Sequence, residues 1–328
     1  MSDELALEEN DFEGAAPAEE AAPAAPAWRR HATTIRRELF GVIWLVLAVL
    51  GFHSFVAKPF YIPSESMLPG LLVGDQLVVS KYPYGWSFIS VTLPNPVAMY
   101  RSLILHTKEE SWGYQLPFIR GRLFGRMPER GDVVIVTPPG KNIDYIKRVV
   151  GLPGDTIEVR DGVLMINNVA VKRGPLRSVD IPDYGGTALP EPEGGTTCGD
   201  IPGGLVKVAG KTVCRLPLRR ETLPNGRSYD IVDLSSQSGY YEGDNYAPVK
   251  VPPDHVFLMG DNRERSADSR VALAAQGLGG PVPWEYIGGR AEFITYSKNG
   301  SATWNPLTWW AGLRGGRGWT SLRPAQDK

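Results

Sequence analysis

The sequence predicts a mainly β protein: a single N-terminal transmembrane helix, then an exported antiparallel β-sheet domain that carries an inserted subdomain of strands and loops. Three observations predict it. An apolar run extends from Leu39 to Val56, and short β-branched runs recur after it between Gly and Pro. Residues 173–250 are richer in Gly, Pro and polar residues than their flanks. At 328 residues the chain can hold one large domain or two smaller ones. Its net charge of −1 gives no support for nucleic-acid binding.

Residues 1–37 read as a cytoplasmic tail with a basic flank. The first 27 residues hold eight acidic residues, no basic ones and repeated Ala-Pro, so they cannot bury a core. Organelle import signals are poor in acidic residues, which argues against one here. The charge then reverses at Arg29, Arg30, Arg36 and Arg37. Residues 38–57 read as the anchor. The 18 residues from Leu39 to Val56 would span about 27 Å as a helix, close to a hydrocarbon core. A buried soluble helix is the weaker reading, because the run is apolar on every face until His53 and Ser54. A cleaved secretory signal fits less well, since bulky Phe55 stands where cleavage needs a small side chain. Four arginines before the span and only Lys58 close after it place the N-terminus in the cytoplasm, with residues 57–328 across the membrane.

The exported part supplies the strands. They are expected at 76–82, 132–137, 144–150, 156–159, 163–166, 255–259 and 289–297. Asp161-Gly162 occupies a hairpin-turn position between the runs 156–159 and 163–166, and Asn167-Asn168 another just after the second of these. Both cysteines, Cys198 and Cys214, lie in the 173–250 stretch. An oxidising compartment favours a disulfide over two free thiols or a metal pair. Closing that loop is worth roughly 3 kcal/mol in the chain-entropy model. The loop lies outside every motif described below, so its loss is expected to affect stability more than chemistry.

One short stretch stands out as chemical. In "YIPSESMLPG" (61–70), Ser64 and Ser66 sit between Pro63 and Pro69, and alternate positions of an extended segment point to one side. A turn at the end of a helix is the plain alternative. A serine hydroxyl needs a neighbouring base to become a nucleophile. Of four histidines, His31 and His53 fall on the cytoplasmic side or within the anchor, and His106 and His255 sit in no motif. Lysine is the other option if burial lowers its pKa. In "DYIKRVVGLPGD", Lys147 shares a strand face with Tyr145 and Val149, while Arg148 points the other way with Ile146 and Val150.

Four blocks then occur in order after the anchor: "IPSESMLPGLLVGDQLVVSKYPYG" (62–85), "RGDVVIV" (130–136), "YIKRVVGLPGD" (145–155) and "MGDNRERSADSR" (259–270). Together they closely resemble bacterial type I signal peptidases, over most of residues 57–170 and 251–297. The resemblance implies a Ser-Lys dyad protease with a β-sheet fold and with neither metal nor cofactor. On it, residues 58–172 and 251–328 form the two parts of a catalytic core around the 173–250 insert. Ser66 matches the nucleophile and Lys147 the general base. Ser64 matches the serine that helps stabilise the oxyanion, and Ser266 the serine that hydrogen-bonds and orients the lysine. Asp261, Arg263, Asp268 and Arg270 look like the family's supporting polar network, and a structural ion-pair cluster is the reading preferred for them. Phe60, Ile62, Met67, Leu68, Tyr145 and Ile146 are similar to residues lining the substrate wall, with ordinary core packing as the alternative for each.

The implied substrates are secretory signal peptides with small residues at the first and third positions before the cut. The implied place is a bacterial plasma membrane, with the catalytic domain periplasmic. The bilayer is a second expected partner. Trp304, Trp309, Trp310 and Trp319, with Arg314 and Arg317, group the side chains favoured at lipid interfaces. A small tryptophan core is the alternative. Two departures from the family pattern stand out: Glu264-Arg265 beside Ser266, and the long run "VALAAQGLGGPVP" after Arg270. A self-cleaving regulator with the same dyad is opposed by the anchor, and an inactive assembly factor by the intact Ser64, Ser66, Lys147 and Ser266.

Overall fold

The structure, a computed structural model, describes residues 27–90, 93–105, 113–114, 121–141, 143–183, 196–234, 241–302 and 305–326. The acidic tail, His106 and Trp304 lie outside the described residues. The chain divides into two compact units, residues 1–47 and 48–328. The helix Ala27–Phe55 fills the described part of the first and runs into the second. Its segment Ile35–Phe55, 21 residues, is long and apolar enough to cross a membrane. Trp44 and Leu45 on it are 69% and 65% exposed, as side chains facing hydrocarbon would be in water. Within the second unit the helix end is tied down, because the Trp86 indole N–H donates to the Phe55 carbonyl at 2.9 Å.

The second unit is built on a seven-stranded antiparallel sheet. Its order is Ala57–Tyr61, Asp75–Ser80, Ile287–Ser297, Val133–Val136, Tyr145–Gly151, His255–Met259 and Val282–Pro283. Every strand expected from the β-branched runs is present. Alternation decides which side chains face which layer. Ile146 joins Ile62, Met67 and Val133 in one core, whereas Val149 joins Val134, Val256 and Leu258 in another.

A four-stranded sheet flanks this one, and its hairpins follow from backbone chemistry. Asp161 and Gly162 have φ 45° and 76°, and Asn167 and Asn168 have φ 53° and 63°. Two-residue loops with both φ positive match the twist of antiparallel strands, and Asn, Asp and Gly tolerate them best.

The insert takes the β-rich form of the expectation. It forms most of a six-stranded sheet around the long strand Lys211–Thr222, which pairs with Arg177–Pro182, Leu205–Val208 and Arg227–Val232. In "KTVCRLPLRRET" the inward positions Cys214, Leu216 and Leu218 are buried, while Arg215 points out to Asp180. The charged outer face and Pro217 hide this period-two pattern among polar residues. The chain end belongs to the same sheet, because Ala325–Gln326 pairs with Arg227–Val232. Cys198 and Cys214 are bridged, with their Cα atoms 5.7 Å apart. Both are buried in one cluster with Leu68, Leu72 and Val73, which follow Ser66. The insert's core is thus continuous with the Ser66 segment.

The C-terminal segment splits the expected aromatic-cationic group. Trp309, Trp310 and Trp319 are exposed. Arg314 and Arg317 turn inward instead: Arg314 donates to the Val73 carbonyl at 2.6 Å, and Arg317 to Asp75 at 3.0 Å. Asp75 is fully buried and needs that countercharge, so the arginines fasten the segment to the sheet.

Candidate active site

Ser66 lies just beyond the strand Ala57–Tyr61, in a bend and turn rather than in the extended segment expected from its alternation with Ser64. The turn is closed by Leu68 N–H donating to the Glu65 carbonyl at 3.1 Å and Leu71 N–H to the Met67 carbonyl at 2.9 Å. The two hydroxyls still meet, with Ser64 Oγ and Ser66 Oγ 3.4 Å apart.

Lys147 comes from the central strand Tyr145–Gly151 and is 4% exposed. Its Nζ donates to Ser66 Oγ at 3.0 Å and to the Ile146 carbonyl at 2.9 Å. It also lies 5.5 Å from the centre of the Tyr145 ring on its own strand face. Burial lowers its pKa from 10.5 to about 8, against the pull of Asp268 and Asp261, while Arg270 pushes the same way as burial. A buried amine near its titration point, bonded to a buried hydroxyl, can take a proton from it. His255, at the start of its strand, bonds through Nδ1 to the Pro253 carbonyl at 2.7 Å.

Ser266 departs from its expected part. Its hydroxyl is buried and has no hydrogen-bond partner among the described residues. Ser266 packs instead against Gly260, where an added Cβ would lie 2.2 Å from Ser266 Oγ and 2.5 Å from the Ser66 carbonyl. The Ile146 carbonyl takes the lysine proton that Ser266 was expected to engage.

Asp261, Arg263, Asp268 and Arg270 of the 259–270 block are all paired. Arg148 grips Asp261 with two bonds at 2.7 and 2.6 Å. Arg270 grips Asp268 at 3.0 and 2.9 Å, and Asp268 also accepts from Gly260 N–H at 3.0 Å. Arg263 pairs with Glu221, a residue of the insert that the sequence does not single out. Glu221 also accepts from Tyr229 at 3.1 Å and Arg173 at 3.1 Å. The departures resolve locally. Glu264 turns inward, where burial pushes its carboxyl up to about 7, and Arg265 turns outward to Asp200 of the insert. In the long run after Arg270, Gln276 takes φ 62° and its carbonyl accepts the Tyr145 hydroxyl at 2.9 Å.

The six expected wall residues divide. Ile62, Met67 and Ile146 are core, at 2%, 1% and 6% exposure. Leu68, fully buried, packs into the insert's cluster rather than facing a cleft. Phe60 and Tyr145 alone of the six are only partly buried, each packed against the edge of a core. Among the described residues no cluster of His, Cys, Asp and Glu could hold a metal.

A family model described as signal peptidase, peptidase S26, matches residues 35–296. Signal peptidase I of Rickettsia typhi is 31% identical over 281 residues, covering 84% of this chain and 83% of its own. Signal peptidase I of Rickettsia prowazekii is 30% identical over the same shares. A crystal structure of a signal peptidase I from Enterococcus faecalis, 23% identical, covers 50% of this chain and 97% of its own at a TM-score of 0.24. From the match across residues 35–296, and from relatives aligned over most of both chains, it follows that this chain belongs to the signal peptidase family, peptidase S26.

Proposed function

We propose that the protein is a membrane-anchored serine endopeptidase that removes signal peptides from exported preproteins, with Ser66 as nucleophile and Lys147 as general base. The bond from the buried Lys147 amine to Ser66 Oγ carries this reading. Neutral Lys147 takes the Ser66 proton as Oγ attacks the scissile carbonyl, and the leaving amine departs with that proton. A water deprotonated by Lys147 then attacks the ester, releasing the new carboxyl end and Ser66. The Ile146 carbonyl orients the amine, and the Ser64 hydroxyl donates to the oxyanion as it forms. Phe60 and Tyr145 border the substrate channel, which accepts small residues at the first and third positions before the cut.

In the proposed topology the N-terminus is cytoplasmic, Ile35–Phe55 crosses a bacterial plasma membrane, and the sheet domain is periplasmic. Incubating the full-length protein in lipid with a preprotein carrying Ala at both small positions should release the mature chain. Ser66→Ala should release none. Processing by that variant would overturn the assignment.

We further propose that the sheet domain rests on the bilayer through Trp309, Trp310 and Trp319, which are 58%, 83% and 79% exposed. Residues 58–328 alone should bind anionic vesicles, with Trp309 and Trp310 quenched by shallow lipid-borne probes. A fragment that stays in solution with both unquenched would leave positioning to the anchor helix.

A further inference from the structure

Glu65 stands between the two serines, and it is 4% exposed. A buried carboxylate requires donors, because leaving the charge unpaired is strongly unfavourable. Its donors come from one residue of the insert. The Thr197 backbone N–H and hydroxyl each donate to Glu65 Oε2 at 2.5 Å. Thr197 opens the one-turn helix Thr197–Asp200, and the next residue, Cys198, is bridged to Cys214 on the long strand Lys211–Thr222. At the other end of that turn Asp200 pairs with Arg265, the residue before Ser266. Asn262 completes the network. Its Nδ2 donates to Thr197 Oγ1 at 2.9 Å and to the Glu65 carbonyl at 3.0 Å. Its backbone N–H donates to the Ser66 carbonyl at 3.1 Å.

These contacts matter because Ser66 sits in a turn, where no strand ladder fixes its backbone. Resting on the reading of Ser66 as nucleophile, we propose that Glu65, Thr197 and Asn262 are positioning residues that hold Ser66 Oγ against Lys147, with the Cys198–Cys214 bridge clamping Thr197 in place. The insert then serves the reaction directly. On this proposal loss of the bridge lowers turnover as well as stability, since Cys198 is the residue next to Thr197. A loosened Glu65 lets the Ser66 turn drift. The Lys147–Ser66 contact is 3.0 Å, so a drift of about 1 Å breaks it, and misplacement on that scale lowers turnover about 100-fold.

The test uses the full-length protein in lipid and compares Glu65→Gln, Thr197→Val, Thr197→Ser and the Ser66→Ala control. Three readouts are taken: kcat, KM and the rate at which a serine-directed acylating probe labels Ser66. Positioning predicts that Glu65→Gln and Thr197→Val lower kcat and labelling about 10- to 100-fold. KM should stay within about twofold, because substrate binding is untouched. Thr197→Ser keeps both donors and should match the parent. The double variant Glu65→Gln with Thr197→Val should be no slower than the worse single, since both weaken the same charged contact. The proposal is overturned if folded Glu65→Gln or folded Thr197→Val keeps kcat within about twofold of the parent. It is overturned equally if Thr197→Ser falls as far as Thr197→Val. Cleavage by Ser66→Ala would instead fault the nucleophile assignment, which separates the two failures. Should one of the two variants not fold, the other decides.

Discussion

Lys147→Arg should be inactive at every pH, while the parent's turnover should climb with pH and level off above about 8, where burial has placed the Lys147 pKa. The base must be neutral to accept the Ser66 proton, and at pH 7 only about a tenth of a group with that pKa is neutral. Arginine cannot lose its proton, so no pH restores it. Lys147→Met should be equally inactive yet at least as stable at pH 7, because it removes a buried charge. An unfolded lysine titrates near 10.4, so between about 8 and that value the unfolded chain holds the extra proton and stability rises with pH. Below about 8 both states are protonated, and the full penalty of burying the ammonium is present. Lys147→Met should therefore flatten the rise in stability across that window. Turnover profiles and denaturation midpoints measured over pH 6–11 check both statements. Substantial turnover by Lys147→Arg, or its loss only on replacing His255, would remove Lys147 from the role.

Glu221→Ala should be strongly destabilising. Glu221 is fully buried and takes Arg263, Arg173 and the Tyr229 hydroxyl on one carboxylate. Arg263 is 3% exposed, so the alanine variant leaves a guanidinium buried without its countercharge. Breaking such a pair from one side typically costs about 3–5 kcal/mol. The pull of Arg263 and Arg173 holds the Glu221 carboxyl below its ordinary pKa despite burial. Its stabilisation is thus present at neutral pH and fades as pH falls through that lowered value. Glu221→Leu combined with Arg263→Leu should recover much of the loss, because the orphaned charge goes with its partner. Denaturation midpoints of the single and double variants in detergent decide this. A double variant less stable than Glu221→Ala would show that the contacts, not the stranded charge, carry the energy.

The limits of sequence reading follow from the period of each signal. The hairpins at Asp161-Gly162 and Asn167-Asn168 are legible because positive φ at both loop residues restricts the residue types allowed. Lys147 is legible because a strand's two-residue period sets it beside Tyr145 and Val149, which the structure keeps together on one side. Ser64 and Ser66 come together for a different reason than alternation, since a turn rather than a strand brings their hydroxyls to 3.4 Å. The insert's individual strands escape notice because Arg215 and the polar positions of its outer face dilute the apolar signal of Cys214, Leu216 and Leu218. Glu65–Thr197 and Glu221–Arg263 escape for a stronger reason. Each joins residues far apart in the chain, 132 and 42 positions, and no local pattern encodes such a pairing. Arg314 and Arg317 mislead in the other direction: beside tryptophans they read as lipid-facing, whereas the buried Asp75 carboxylate and the Val73 carbonyl claim them.

The central claim is that Ser66 attacks with Lys147 as its base, and the most direct test is to find where an acyl group lands. The full-length protein is treated with a serine-directed acylating probe at pH 8, digested, and mapped by mass spectrometry. The account predicts a single adduct on the peptide containing Ser66, absent from Ser66→Ala and suppressed in Lys147→Arg. An adduct on any other residue, or one that persists in Ser66→Ala, would contradict it.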